Sequence, residues 1–241
     1  MQPTLVFQRV EKKYPLTREQ EQRVRRRLLP QMLPDPHGES TVCNVYYDTV
    51  CHDLIRRSVE RPVYKEKLRM RCYGPVGPAD TVFLEIKKKY KGTVGKRRLG
   101  LPLEQAEEFL RTRCPPPGAG GQIAGELAYF MQVYDPRPAA FVAYERQAYF
   151  GREDGDVRVT FDYNIRARQE RLSLAAGTDG EPVDGPFCLL EIKTLDAMPL
   201  WLARILGEEE IYPNSFSKYG SVYLNKICAN EVSECSKVSL P

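Results

Sequence analysis

Lys65-Glu66-Lys67-Leu68-Arg69-Met70-Arg71-Cys72 sets a cation at every second position, with Leu68, Met70 and Cys72 between them. Successive side chains of an extended strand point to opposite faces, so Lys65, Lys67, Arg69 and Arg71 share one face and the apolar residues share the other. Like charges repeated about 7 Å apart repel, and a desolvated charge needs a partner, so such a row is costly unless something anionic lies along it. The stretch therefore predicts a two-faced strand whose polar face holds a polyanion.

The pattern recurs. Val82, Leu84 and Ile86 alternate with Glu85, Lys87 and Lys89; Asp156 to Asp162 repeats the alternation with Arg158 and Thr160; Tyr144-Glu145-Arg146 and Leu189-Leu190-Glu191-Ile192-Lys193 are shorter instances. The candidate inner faces hold Lys65, Lys67, Arg69, Arg71, Lys87, Lys89, Arg146, Arg158 and Lys193 against Glu85, Asp162 and Glu191. Alternation by itself is the mark of a strand with one solvated face, but such a face mixes signs and includes Thr, Ser and Gln. Rows made mostly of Lys and Arg point to a bound anion.

A chain of 241 residues is long enough for one large domain or two small ones. With no Ser/Gly linker dividing it, one domain over 1–228 is expected, with a frayed tail over 229–241. The net charge of only +4 makes the cationic rows local concentrations, and they lack the aromatic interleaving that stacks bases, which argues against a nucleic-acid binder. Seven scattered cysteines without a CxxC spacing, behind a polar N-terminus without a signal peptide, read as reduced thiols in a cytoplasmic protein. Cys51-His52 has no second pair to complete a metal site, and no apolar run reaches the roughly 20 residues of a membrane span, so work at a membrane requires a membrane-protein partner. His37 and His52, both in loop-like contexts, leave little for proton-relay chemistry.

Phe7 to Tyr14 reads as a strand, and Thr17 with Gln20 three residues later opens a helix to about Leu29, basic through Arg23, Arg25, Arg26 and Arg27. Pro30, Pro34, Asp35, Pro36 and Gly38 suggest a loop over 30–40, followed by a strand from Val42 to Tyr47. Strands near 64–73 and 81–89 form a hairpin across Gly74-Pro75-Val76-Gly77-Pro78. Helices are expected from Leu103 to Arg111, Ile123 to Tyr134, Leu200 to Leu206 and after Ser215, with strands near 139–150, 156–163 and 187–194. The long apolar runs of a doubly wound sheet are missing, so the expected fold is α+β: a closed antiparallel β-barrel, a tunnel, with helices packed outside.

Taken in order, Phe7-x-Arg9-x-Glu11-x-Lys13-Tyr14, Tyr47-Asp48-Thr49, Lys67-x-Arg69-x-Arg71, Glu85-x-Lys87, Tyr144-x-Arg146, Val157-Arg158-Val159, Glu191-x-Lys193 and Ser215-Phe216-Ser217-Lys218-Tyr219 resemble the polyphosphate polymerase domain of the vacuolar transporter chaperone (VTC) complex, within the triphosphate tunnel metalloenzymes of CYTH-like fold. The resemblance runs from about Phe7 to Lys226. It implies that Lys13, Arg69, Arg71, Lys87, Arg146, Arg158 and Lys218 carry the catalytic charge along the tunnel, and that Lys67, Lys96, Tyr144, Lys193 and Ser217 bind substrate. It further implies that Glu191 holds Mn²⁺ or Mg²⁺, and that the substrates are ATP and inorganic polyphosphate. The family often has Lys where this chain has Ser215, which weakens one phosphate contact.

The residue chemistry is consistent with that resemblance. Arg forks bind phosphate oxygens bidentately and Lys supplies point charge, so both alternating along a groove suit a linear polyphosphate. Glu191 and Glu85 are the carboxylates placed to meet a hard cation, or to pair with Lys193 and Lys87. The related hydrolases carry ExExK near the N-terminus, whereas the matching block here is Arg9-x-Glu11-x-Lys13, one carboxylate short. A carboxylate-poor, cation-rich site tilts toward a polymerase that transfers the ATP γ-phosphate to a growing chain and releases ADP. A tripolyphosphate or nucleotide hydrolase of the same fold and a non-catalytic polyphosphate sensor stay open.

Overall fold

The computed structural model describes residues 10–60, 62–91, 93–195 and 197–227. Phe7 and Arg9 of the first motif, and the expected tail, lie outside the described residues. The elements are β1 (Val10–Leu16), α1 (Arg18–Leu28), β2 (Met32–Asp48), α2 (Asp53–Val59), β3 (Tyr64–Tyr73), β4 (Thr81–Tyr90), β5 (Thr93–Pro102), α3 (Leu103–Thr112), α4 (Gln122–Tyr134), β6 (Arg137–Gly151), β7 (Arg158–Arg168), β8 (Glu181–Pro182), β9 (Cys188–Thr194), α5 (Leu200–Glu208) and α6 (Lys218–Val222), which runs on into a π-helical turn at Tyr223–Ile227. The strands hydrogen-bond in the order β1-β9-β7-β6-β2-β3-β4-β5, with β8 on β7. The antiparallel α+β architecture is as expected; among the described residues the hydrogen-bonded order runs from β1 to β5 without a closing pair.

Chain contacts group the residues into two compact units. The first lies within Met1–Thr41, Tyr144–Ile165 and Asp184–Ser217; the second within Val42–Ala143, Arg166–Val183 and Lys218–Pro241.

In the first unit β9 lies between β1 and β7, with Lys13 opposite Glu191 and Thr160 opposite Glu191 from the other side. One face is apolar: Tyr14 and Leu16 of β1, Val159 and Phe161 of β7 and Leu190 and Ile192 of β9 pack with Val24 and Leu28 of α1 and Leu202 and Ile205 of α5. α1 starts where expected, because the Thr17 hydroxyl accepts from Gln20 N–H while the Gln20 side chain accepts from Thr17 N–H. The opposite face carries Lys13, Thr160, Asp162, Glu191 and Lys193.

In the second unit β3, β4 and β5 form a meander in which Lys67 faces Lys87, Lys87 faces Lys96, Arg69 faces Glu85 and Glu85 faces Arg98. Leu68, Met70, Cys72, Val82, Leu84 and Ile86 turn to a core closed by Ala106 and Phe109 of α3 and Leu127, Phe130 and Met131 of α4. Helices thus cover the apolar side of each sheet, as expected, and leave the cationic side to other partners.

One expectation is corrected and two elements were not anticipated. Residues 30–40 are largely strand rather than loop, since β2 begins at Met32 and includes His37. Pro34 and Pro36 are two apart, so both missing N–H groups fall on the same strand edge and the other edge keeps its donors. β5 was obscured by Gly95, Gly100 and Pro102; Gly100 lies opposite Phe83, whose ring carbon is 3.4 Å from the point a Cβ would occupy. The short helix α2 had no sequence signal, because its N-cap is His52 in the left-handed conformation (φ 56°) rather than a Ser, Thr, Asp or Asn.

Candidate functional site

In the second unit the cationic face converges on Glu85, which is 1% exposed. Its Oε2 accepts from Arg69 (Nη2 at 2.7 Å, Nε at 2.8 Å), its Oε1 lies 2.6 Å from Lys96 Nζ and 2.5 Å from Arg98 Nη2, and Arg71 Nε is 4.0 Å away. Burial works against the carboxylate, but Arg69, Arg71 and Lys96 outweigh it and hold Glu85 ionised, well below the usual carboxylate range. Burial pulls the Lys96 ammonium down to about 8 against the opposing attraction of Glu85.

Arg71 is oriented by Asn44, whose Oδ1 accepts from Arg71 Nε at 2.8 Å while its Nδ2 donates to the Val142 carbonyl at 3.0 Å. Arg69 Nη1 donates to Tyr46 Oη at 3.3 Å. Burial pushes that phenol up, yet Arg69, Arg71 and Lys218 outweigh it and hold Tyr46 below the ordinary tyrosine range. Tyr46 stacks on Tyr219 at 4.7 Å, and Tyr219 Oη donates to Asp48 Oδ2 at 2.9 Å. Asp48 also accepts the Leu54 and Ile55 N–H groups, so one buried carboxylate ties the starts of α2 and α6 to β2 and brings Lys218 beside Tyr46. Lys67 and Lys87 lie in the adjacent cross-strand row with Lys96.

In the first unit the centre is Glu191, 6% exposed. Lys13 Nζ is 3.6 Å, Arg146 Nη2 3.5 Å and Lys193 Nζ 3.9 Å from its carboxylate. Arg146 forks onto Asp162 with bonds of 2.6 and 2.8 Å and lies over the Tyr144 ring, 5.3 Å from its centroid. Burial opposes the guanidinium charge, but Tyr144, Asp162 and Glu191 hold it protonated, well above the usual range. Lys13 Nζ also donates to the Phe216 carbonyl at 3.0 Å, next to Ser217.

Of the expected residues, Lys13, Arg146, Tyr144, Glu191 and Lys193 come together in the first unit, and Arg69, Arg71, Lys96 and Lys218 in the second. Arg158 shares the polar face of β7 with Thr160 but is exposed and pairs with Asp35 at 2.8 Å. Glu85 and Glu191 do pair with lysine, as one reading held: Lys193 with Glu191, and, not anticipated, Lys96 with Glu85. Arg98, Asn44 and Tyr46 were missed. Arg98 was legible as the second member of an alternating Lys96-x-Arg98 pair once 93–102 is taken as a strand.

The sequence pattern of the VTC domain family matches residues 8–225. Two curated relatives, both named vacuolar transporter chaperone complex subunit 4, come from Trypanosoma cruzi and Trypanosoma brucei brucei; they are 27% and 25% identical over 187 residues, 64% of this chain in each case. The alignments cover 23% and 24% of those proteins, so the chain spans about a quarter of the length of the curated relatives it matches. A solved Bacillus halodurans structure, provisionally named an adenylate cyclase, superposes with a TM-score of 0.54 over 87% of this chain and 95% of that one; at 12% identity the likeness is one of fold. With its pattern matched over residues 8–225, nearly the whole length, the chain belongs to the VTC domain family.

Proposed function

We propose that the chain is an ATP-dependent polyphosphate polymerase that transfers the ATP γ-phosphate to the end of a polyphosphate chain and releases ADP. The observation that carries this reading is the same in both units: a buried carboxylate on the polar sheet face is outnumbered by converging cations, Arg69, Arg71, Lys96 and Arg98 about Glu85 and Lys13, Arg146 and Lys193 about Glu191. A phosphoanhydride chain accepts hydrogen bonds only and carries charge on every unit, so it matches such rows at any length. In the transfer, an ionised terminal oxygen of the chain forms the new bond to the γ-phosphorus while the bond to the β,γ-bridging oxygen breaks, its electron pair leaving with ADP. No base is required, and the site supplies fixed charge and positioning.

Mn²⁺ or Mg²⁺ is part of the proposal. Among the described residues no three His, Cys, Asp or Glu side chains converge into a protein-only cage. Glu191 fits a hard cation that takes its remaining ligands from phosphate oxygens, and such a cation supplies charge neutralisation at the transferring phosphoryl group. Closure of the sheet around the polymer, cytoplasmic action and a membrane-protein partner belong to the same proposal. The partner is suggested by the relatives' names as subunits of a complex. No helix among the described residues is long and apolar enough to cross a membrane.

The test is incubation of the purified protein with ATP and Mn²⁺, following ADP, orthophosphate and long-chain polyphosphate together. Polymer rising with ADP, and lost in Glu191→Gln and Arg69→Ala, supports the polymerase. Orthophosphate without polymer makes the protein a hydrolase, and bound polyphosphate without turnover makes it a sensor.

A further inference from the structure

Lys13, Glu191 and Thr160 form one rung across β1, β9 and β7, so their side chains share the polar face. Thr160 is 8% exposed, and among the described residues its Oγ1 has no hydrogen-bond partner. A buried hydroxyl left unpaired is costly, and nearly all such groups in folded proteins are satisfied. Its surroundings define what satisfies it. On either side along β7 are Arg158 and Asp162, and Asp162 is engaged by the Arg146 fork. Across the rung the Glu191 carboxylate is flanked by Lys13, Arg146 and Lys193. These cations draw an anion to this face, and the hydroxyl offers that anion a neutral donor.

We propose that Thr160 is a substrate-binding residue whose Oγ1 donates a hydrogen bond to a phosphate oxygen held by Lys13 and Arg146. The inference rests on the phosphate-polymer reading above and extends it. It assigns one directional donor to a site otherwise built of charge, so that a phosphate is fixed in position along the row rather than only attracted to it. The hydroxyl and the charges separate experimentally, since salt screens the contribution of the cations far more than that of a neutral donor.

The experiment compares wild type, Thr160→Val and Thr160→Ser for binding of tripolyphosphate by calorimetry in a metal-free buffer at two salt concentrations, and for thermal unfolding without ligand. Val keeps the shape and removes the hydroxyl. The expected result is affinity weakened about tenfold in Thr160→Val at both salt concentrations, with Thr160→Ser close to wild type. Unliganded Thr160→Val is expected to melt about 2–4 °C higher, because an unsatisfied polar group has been removed from the interior. Unchanged binding in Thr160→Val overturns the inference, as does a lowered melting temperature with Thr160→Ser binding as weakly as Thr160→Val, which makes the hydroxyl structural. If wild type itself binds no tripolyphosphate, the phosphate-polymer reading fails and this inference with it; if wild type binds and Thr160→Val matches it, only this inference fails.

Discussion

Glu85 in the second unit and Glu191 in the first are both buried carboxylates on the polar face of an antiparallel sheet, and both belong to a Glu-x-Lys pair, yet their surroundings differ. Arg69, Lys96 and Arg98 reach Glu85 at 2.5–2.7 Å, within direct hydrogen-bond distance. Lys13, Arg146 and Lys193 lie 3.5–3.9 Å from Glu191, and Arg146 directs its fork to Asp162 instead. The same Glu-x-Lys motif thus sits in two different electrostatic surroundings, set by its neighbours and not by the motif itself. Glu85 is a counter-ion to four cations, Arg69, Arg71, Lys96 and Arg98, and under the proposed function it shares them with an arriving phosphate. In the first unit Arg146 forks onto Asp162, and under the proposed function Glu191 is the carboxylate assigned to the metal.

The difference between the two carboxylates is tested most directly at Glu85. Glu85→Gln keeps the shape but leaves Arg69 and Arg71, both largely buried, without their shared anion. A loss of about 3–5 kcal/mol is expected, seen as a melting temperature lowered by about 10 °C and partly restored by saturating tripolyphosphate. A melting temperature equal to wild type makes Glu85 something other than a counter-ion. Glu191→Gln is expected to do the reverse, with a smaller loss of stability than Glu85→Gln, because its cations lie farther off and Arg146 keeps Asp162, and with Mn²⁺-dependent polymer synthesis down about a hundredfold. Equal loss of stability in the two variants erases the distinction.

Glu85 and Lys96 affect stability in different pH windows. Glu85 has a native pKa depressed below its unfolded value, so its stabilisation is complete above the ordinary carboxylate range of about 4.5 and is lost as pH falls through the lower native value. Urea unfolding from pH 7 to 3 is expected to show this acid loss in wild type and a shallower one in Glu85→Gln. Lys96 works in the opposite window: its folded pKa of about 8 lies below the unfolded value, so between about 8 and 10.5 the unfolded chain holds the extra proton and stability rises with pH. Over the same rise the charge available to phosphate falls, and tripolyphosphate affinity is expected to drop about tenfold from pH 7 to 9.5 in wild type but not in Lys96→Arg. The smallest effect is assigned to Arg158→Ala, since an exposed pair such as Arg158–Asp35 contributes less than about 1 kcal/mol. A deficit in polymer binding as large as that of Arg69→Ala would return Arg158 to the centre of the site.

The rows on β3, β4 and β9 were legible because the period of two coincides with a sharp chemical contrast, Lys and Arg against Leu, Met and Ile. β5 and the start of β2 were not, because Gly95, Gly100, Pro34 and Pro36 are read as loop residues and only cross-strand neighbours make them strand. Thr160 carried no signal of its own, since an unpaired hydroxyl is a property of what surrounds it.

From residue types and spacing alone follow the antiparallel α+β class, the separation of apolar and cationic faces, and four of the cations that converge, Arg69, Arg71, Arg146 and Lys193, because these depend on local geometry and composition. Which cation meets which carboxylate was decided by tertiary structure. The β4–β5 register brings Lys96 and Arg98 to Glu85, and the β1–β9–β7 rung places Lys13 and Thr160 beside Glu191, because strand pairing joins residues far apart in the chain at distances where charge and hydrogen bonding act.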